Sequence, residues 1–407
     1  MEPESIILSI ELWVRFLHCK GNKKKQILQI FLRSGFYPEA SLSIIDAQHT
    51  IIAAWMRFPN MYIRMLNRRM LKCMVAALMS GVTITAQGQL AANAYSFLDV
   101  SSSTHALALG GYAIALSGPD PMMVDQNPSL LGPEVGRVAA LSYMRYFGSA
   151  NFAAARFAQS AGERGAWAIG VRYLDYGSID GYTQDGSYTG SFRPQDIAVE
   201  GTYSHDFTDR LRGGINAKLI YSNYEEYTAV ALAADLGINY YDDEKDLSLS
   251  AVIKNAGGQV KRFNESYDHL PFDIQLGYMQ GLANGPFSLS ITAHHLTHWK
   301  LPSYSHGQNN NGSSGSDSDT ETENYKFIPT LFRHLTFGLQ YSPSDRFYVA
   351  LGYNYKTRGD MSTYQRNFLS GFSLGVGLNV SDFAIGVSFS QPHKSASTLG
   401  LNLAYFL

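Results

Sequence analysis

Thr398–Leu407 reads TLGLNLAYFL and decides the fold. Leu399, Leu401, Leu403, Tyr405 and Leu407 fall on one face, Gly400, Asn402 and Ala404 on the other. A period of two is the signature of a β-strand, because successive side chains point to opposite sides of the pleat. Just upstream, Phe383, Ile385, Val387 and Phe389 alternate with Ala384, Gly386, Ser388 and Ser390, and Asn379–Asp382 supplies a tight turn. Phe372, Leu374, Val376, Leu378 and Val380 repeat the pattern against Ser373, Gly375, Gly377 and Asn379. Far upstream, Leu211, Ile215, Ala217 and Leu219 alternate with Arg212, Asn216 and Lys218.

Strands with one apolar and one small or polar face suit two folds. In a soluble sandwich the apolar face turns in to a core; in a membrane barrel it turns out to lipid, and Arg212, Lys218, Asp235 and Lys254 would face a wet lumen. Periodicity does not separate the two, but connection lengths do. Strands are predicted at 138–147, 150–159, 164–176, 195–206, 209–222, 227–241, 246–255, 271–281, 286–296, 334–342, 345–356, 367–380, 382–391 and 396–407, fourteen in all. Every second connection is short, near 161–164, 206–209, 242–245, 282–286, 343–345 and 380–381. The long ones, 177–194, 255–270, 297–333 and 357–366, lie between them, with a tight first hairpin near Gly148 as the exception. Short turns on one rim and long loops on the other describe an antiparallel transmembrane barrel of the outer-membrane kind. Tyr143, Tyr146, Phe147, Tyr173, Tyr240, Tyr241, Tyr341, Tyr353 and Tyr405 stand near strand ends, where amphipathic rings form interfacial girdles, although tyrosine is also an ordinary strand former.

Composition agrees. Of 407 residues only 16% are charged, while Tyr, Phe and Gly number 26, 22 and 37. A soluble domain carries about a quarter charged residues. The formal net charge of −2 leaves no basic surface for neutralising phosphates along a nucleic acid.

From Met61 the chain reads MYIRMLNRRMLKCMVAALMSGVTITAQGQ. Arg64, Arg68, Arg69 and Lys72 precede an apolar run from Cys73 to Ile84, and Ala86 and Gly88 offer small residues for cleavage before Gln89 or after Ala86. That run is about a dozen residues, too short for a spanning helix of roughly 20, and reads as a secretory signal peptide. Met61, Met65 or Met70 is then the expected start, with 1–60 an upstream extension, 61–88 the signal peptide, 89–137 a plug or lumen-lining lead-in and 138–407 the barrel. Cys19 and Cys73 both precede the expected mature chain, which would hold no disulfide, thiol nucleophile or CxxC zinc site.

Catalytic and cofactor signatures do not emerge. His294, His295 and His298 form HHLTH, but the alternation of Phe287, Leu289 and Ile291 places them on a strand. There the outer two would lie roughly 13 Å apart, too far to share an ion. Gly307–Asn324 carries Asp317, Asp319, Glu321 and Glu323 without the spacing of a calcium loop and reads as a mobile surface loop. No P-loop, dinucleotide-binding glycine pattern, nucleophile elbow or HExxH helix occurs, so neither an enzyme nor a cofactor is expected.

The lead-in holds Gly110-Gly111, Pro119, Pro121 and Asn127-Pro128 and does not alternate. Its stretches Tyr95–Val100 (YSFLDV), Ala106–Gly111 (ALALGG) and Asp125–Leu130 (DQNPSL) resemble the opening of PorQ-type proteins of the Bacteroidota type IX secretion system, relatives of the PorV and FadL barrels. The likeness extends over Gln89–Leu407; it departs at Asn-Pro-Ser, where the wider group usually has Asn-Pro-Ala, and at Thr104-His105, where Ala-Arg is common. The resemblance implies a fourteen-stranded outer-membrane barrel with Gly110, Gly111, Asn127 and Pro128 in its plug motif. It further implies a role in the attachment complex, anchoring a PorZ-like surface protein that joins cargo to anionic lipopolysaccharide. Loops 177–194, 255–270 and 297–333 are candidate platforms, and Tyr182, Tyr188 and Phe192 in the first either hold a partner or pack onto the rim. The alternative is a FadL-like channel for hydrophobic small molecules, marked by a ligand-sized apolar pocket behind an internal hatch.

Overall fold

The computed structural model describes residues 95–407 apart from 117, 147, 184, 265–266, 283–284, 300, 302–326, 345, 361–367 and 394–395. The expected extension, signal peptide, both cysteines, the 307–324 loop and Phe147 lie outside the described residues.

Fourteen antiparallel strands close into one barrel. In chain order they are β1 (Arg137–Arg145), β2 (Asn151–Ser160), β3 (Gly165–Asp175), β6 (Gln195–Thr208), β7 (Leu211–Tyr224), β8 (Tyr227–Asp242), β9 (Leu247–Lys261), β10 (Asp273–Gly281), β11 (Phe287–Ala293), β12 (Leu335–Ser344), β13 (Phe347–Asn354), β14 (Phe372–Val380), β15 (Phe383–His393) and β16 (Ala396–Phe406). Between β3 and β6 a separate hairpin forms from β4 (Ile179–Tyr182) and β5 (Tyr188–Phe192). Closure comes from β1 pairing with β16, Val138 opposite Phe406 through Arg145 opposite Leu399, so every barrel strand has two neighbours and no edge is left unpaired.

Alternation sorts the side chains. Along β1, Val138, Ala140, Ser142 and Met144 turn inward and are buried, while Leu141 and Tyr143 turn outward at 59% and 51% exposure. Ile169, Leu219, Leu236, Leu374 and Leu401 continue this outward band around the wall. A soluble monomer rarely exposes an apolar patch beyond a few hundred Å², so a continuous apolar girdle around a closed cylinder is a surface made for hydrocarbon. The protein is therefore a transmembrane β-barrel. Of the tyrosines expected in girdles, Tyr143, Tyr173, Tyr240, Tyr341, Tyr353 and Tyr405 lie on the outward face. Tyr146 packs instead against the interior cluster and Tyr241 shares the inward parity of its partner Ser248.

Two local differences from the predicted strands have physical causes. β9 runs on to Lys261, past Gly257-Gly258, by taking a bulge at Asn255 (φ 55°) that shifts its register against β8. The β4–β5 hairpin went unread because its strands of four and five residues are too short to display a period. Its turn is closed by Thr183 N–H donating to Ser187 O at 2.9 Å, with Gly186 at φ 84°. Helices α2 (Phe327–Arg333) and α3 (Tyr355–Asp360) cap the long-loop rim over β12–β14.

Much of the interior is occupied by the chain itself. Residues 95–136 run inside the barrel as short 3₁₀ turns (Ser96–Asp99, Pro121–Asp125, Pro128–Leu130, Pro133–Val135) and one helix, α1 (Thr104–Ala108). Side chains cap these pieces: Ser103 Oγ accepts from the His105 N–H at 3.2 Å, Asp120 from Met122 and Asn127 from Ser129. Tyr95, Phe97, Leu98, Met122 and Val124 pack with the inward Val138, Met144, Phe152, Leu174 and Ile220. The charges expected in a water-filled lumen do face inward, but Lys218, Asp235 and Lys254 are buried beneath this segment. Lys218 Nζ lies 2.6 Å from Asp235 and 2.8 Å from Asn255 Oδ1.

Candidate functional site

Close approach of the internal segment is written into the wall. Inward Gly214 and Gly352 face the backbone of Pro128 and of Leu109–Gly110, and a Cβ at either position would overlap those atoms. Glycine inside a strand marks such an approach. The four residues singled out as a plug motif lie within the segment. Gly110 and Gly111 hold φ of 98° and 91°, a conformation L side chains rarely adopt, and reverse the chain after α1. Asn127 Nδ2 donates to Ile114 O at 2.9 Å, its Oδ1 accepts from Ser129, and Pro128 opens the next 3₁₀ turn.

Charge fixes the segment as firmly as shape. Arg156 on β2, Arg172 on β3 and Glu200 on β6 point inward beside Asp125, and all four are at most 4% exposed. Arg172 Nη2 lies 2.6 Å from Glu200, Arg156 pairs with the same carboxylate, and Arg172 Nη1 lies 3.9 Å from Asp125. Asp125 also accepts from Ser102 N–H at 2.7 Å and Ser102 Oγ at 3.0 Å. Two cations face two carboxylates, so the buried cluster is neutral and its charges are mutually compensated. Sequence reading quoted Asp125 but missed its partners. The signal was available: Arg156 and Arg172 stand among apolar neighbours on the inward parity of their strands, and Glu200 shares the inward parity of its own.

Between the segment and the β10–β16 wall lies a cavity of about 410 Å³ toward the short-turn rim. Leu116, Met123 and Met279 give it an apolar side, and Ser288, Gln340, Ser342 and Asn402 line it from the wall. His105 and Asp120 bring polar groups from the segment. The His105 ring stacks on Tyr348 at 3.7 Å, and its Nε2 lies 2.8 Å from Gln340 Oε1. Burial pushes its pKa down to about 4 against the opposing hydrogen bond to Gln340, leaving a neutral imidazole at neutral pH. Burial raises the Asp120 carboxyl in the opposite sense, partly offset by its hydrogen bonds from Ser103 and Met122.

HHLTH is not a strand. β11 ends at Ala293 and His295 takes φ 56°, so the separation argued from strand spacing does not apply. His294 stacks on Tyr112 at 4.1 Å, and its Nδ1 lies 2.7 Å from that of His295. Among the described residues no group of three or more His, Cys, Asp or Glu is arranged to hold a metal ion. On the hairpin, Tyr182 and Tyr188 are 63% and 60% exposed with ring centroids 5.7 Å apart, while Phe192 is half-buried at its base.

Fold and interior together define a plugged, fourteen-stranded transmembrane barrel. No protein-family model matches the chain, and no curated protein does. Solved structures that match include the toluene transporter TbuX of Ralstonia pickettii, 12% identical with a TM-score of 0.46 over 75% of this chain and 97% of that one. The toluene transporter TodX of Pseudomonas putida is 10% identical with a TM-score of 0.47 over 75% and 97% of the two chains. A FadL homologue of Pseudomonas aeruginosa is 10% identical with a TM-score of 0.42 over 75% and 98%. Likeness at this level carries no argument about what this chain binds.

Proposed function

We propose that this protein is a non-catalytic outer-membrane channel, its short turns in the periplasm and its long loops outside, that admits small, largely apolar molecules. The observation that carries the reading is the cavity of about 410 Å³ behind the internal segment. Ligand pockets typically enclose about 300–1,000 Å³, with an apolar body and a few placed polar groups. Leu116 and Met123 supply the body here and His105 with Gln340 the polar end. Calorimetric titration of the refolded barrel with toluene and with octanol tests it. Met123→Trp, which fills the cavity, is expected to weaken binding about tenfold or more while the heat-modifiable folded band persists. Equal affinity of the variant would place the ligand elsewhere, and no binding of either probe would refute the channel.

A second reading has one observation in its favour. The hairpin presents Tyr182 and Tyr188 to solvent, and paired aromatics of this kind anchor protein interfaces. On that reading the barrel is a PorQ-like platform of a type IX attachment complex that holds a PorZ-like partner beside anionic lipopolysaccharide.

A further inference from the structure

The outward face of β12–β14 ends in an aromatic cluster that continues above the strands. Phe337 is paired with Tyr353 and Tyr353 with Phe372, forming one row across three strands on the outside of the wall. On the next level Phe332 of α2 lies 6.1 Å from Phe337 and 6.0 Å from Tyr355 of α3, and Phe368 lies 6.1 Å from Phe372. Phe368, Phe327 and Ile328 are 79%, 65% and 65% exposed. This is where loops leaving a barrel ordinarily turn polar, yet here they prolong the hydrocarbon-facing band beyond the strand ends.

The same two helices carry cations. Arg333 Nη2 and Lys356 Nζ each lie 2.8 Å from Asp360, which ties α2 to α3 and fixes the patch. With Arg358 on α3, the described residues of the two helices hold three cations and one carboxylate. Apolar side chains that carry on from the outward face of the wall, with positive charge on the same two helices, match a lipid that has several acyl chains and phosphorylated sugars.

We infer that the α2–α3 face seats a phosphorylated outer-leaflet glycolipid, the lipid A portion of lipopolysaccharide, with acyl chains on Phe327, Ile328, Phe332 and Phe368 and phosphate on Arg358. The inference rests on the proposed orientation, long loops outward, and is independent of any channel ligand.

Full-chain barrel is reconstituted with lipid A or with dioleoylphosphatidylglycerol, washed in detergent, and the lipid retained per barrel is measured by mass spectrometry. Arg358→Glu is expected to lower retained lipid A about fivefold or more, as is Phe327→Ser with Phe368→Ser, while Tyr182→Ser is expected to change nothing. If the serine pair does not fold, the single charge reversal decides. Undiminished lipid A in the charge reversal overturns the inference, as does equal retention of phosphatidylglycerol, which would make the patch a general anionic-lipid surface. Labelling of Tyr182→Cys on intact cells by an impermeant maleimide separates the two failures. An unlabelled hairpin overturns the orientation and the inference with it, whereas a labelled hairpin with unaltered lipid A retention overturns the inference alone.

Discussion

Arg172 on β3 faces Asp125 of the internal segment at 3.9 Å, each side chain only 1% exposed. The contact links wall to plug over 47 positions of sequence, and Glu200 on the far side of the guanidinium completes the charge balance. Removing one member of a buried pair leaves a stranded charge, which costs about 3–5 kcal/mol. Asp125→Ala is therefore expected to lower the unfolding temperature sharply and to expose residues 95–136 to added protease while the wall stays folded. Unchanged protease resistance would show that packing alone holds the segment.

Shape can be tested apart from charge. Gly352→Val places a branched side chain where the Leu109–Gly110 backbone passes, an overpacking cost at the upper end of about 1–3 kcal/mol. Gly201, with open space around it, is the control. In planar bilayers Gly352→Val is expected to raise single-channel conductance or open frequency, because the segment must shift, whereas Gly201→Ala is expected to behave as the parent. Matching conductance in the two variants would count against a fitted plug.

Acid is expected to loosen the cavity wall. His105 titrates at about 4 in the folded protein and near 6.5 when unfolded, so folding favours the neutral ring. Its contribution is complete above about pH 6.5, declines as pH falls toward about 4, and is fully lost below that. Asp120, with its raised carboxyl, works in the opposite direction, so the comparison is made against His105→Phe, which keeps the ring on Tyr348. Thermal unfolding from pH 7 to pH 4 is expected to fall more steeply in the parent than in this variant. Parallel curves would remove His105 from the account.

Deleting Gly177–Pro194 and closing the gap with a short linker is expected to leave a folded barrel and to abolish co-purification of a surface partner. Retained co-purification would end the platform reading, and loss of the folded band would show that the hairpin supports the rim instead.

How much of this was legible depended on the length of chain over which a pattern repeats. Strands such as Leu399–Tyr405 declare themselves because one face meets hydrocarbon along its whole length, and connection lengths then separate barrel from sandwich. The segment around Gly110 and Asn127 could be set apart only by its lack of alternation. Its path depends on contacts such as Ser373 Oγ with Ala108 O at 2.8 Å, across 265 positions of sequence, which no local period encodes. The stacking of His105 on Tyr348 was hidden for the same reason. Asn255 was read as the end of a strand because a bulge and a terminus look alike from one chain alone.

The pairing of Val138 with Phe406 joins the first strand of the wall to β16, while the described segment 95–136 that lines the inside precedes Arg137 in the chain. That segment is thus synthesised ahead of the wall around it, and β16, which follows the other thirteen barrel strands, is the one that shuts the seam. Neither mouth has to admit the filling afterwards; the staves can be drawn together around it.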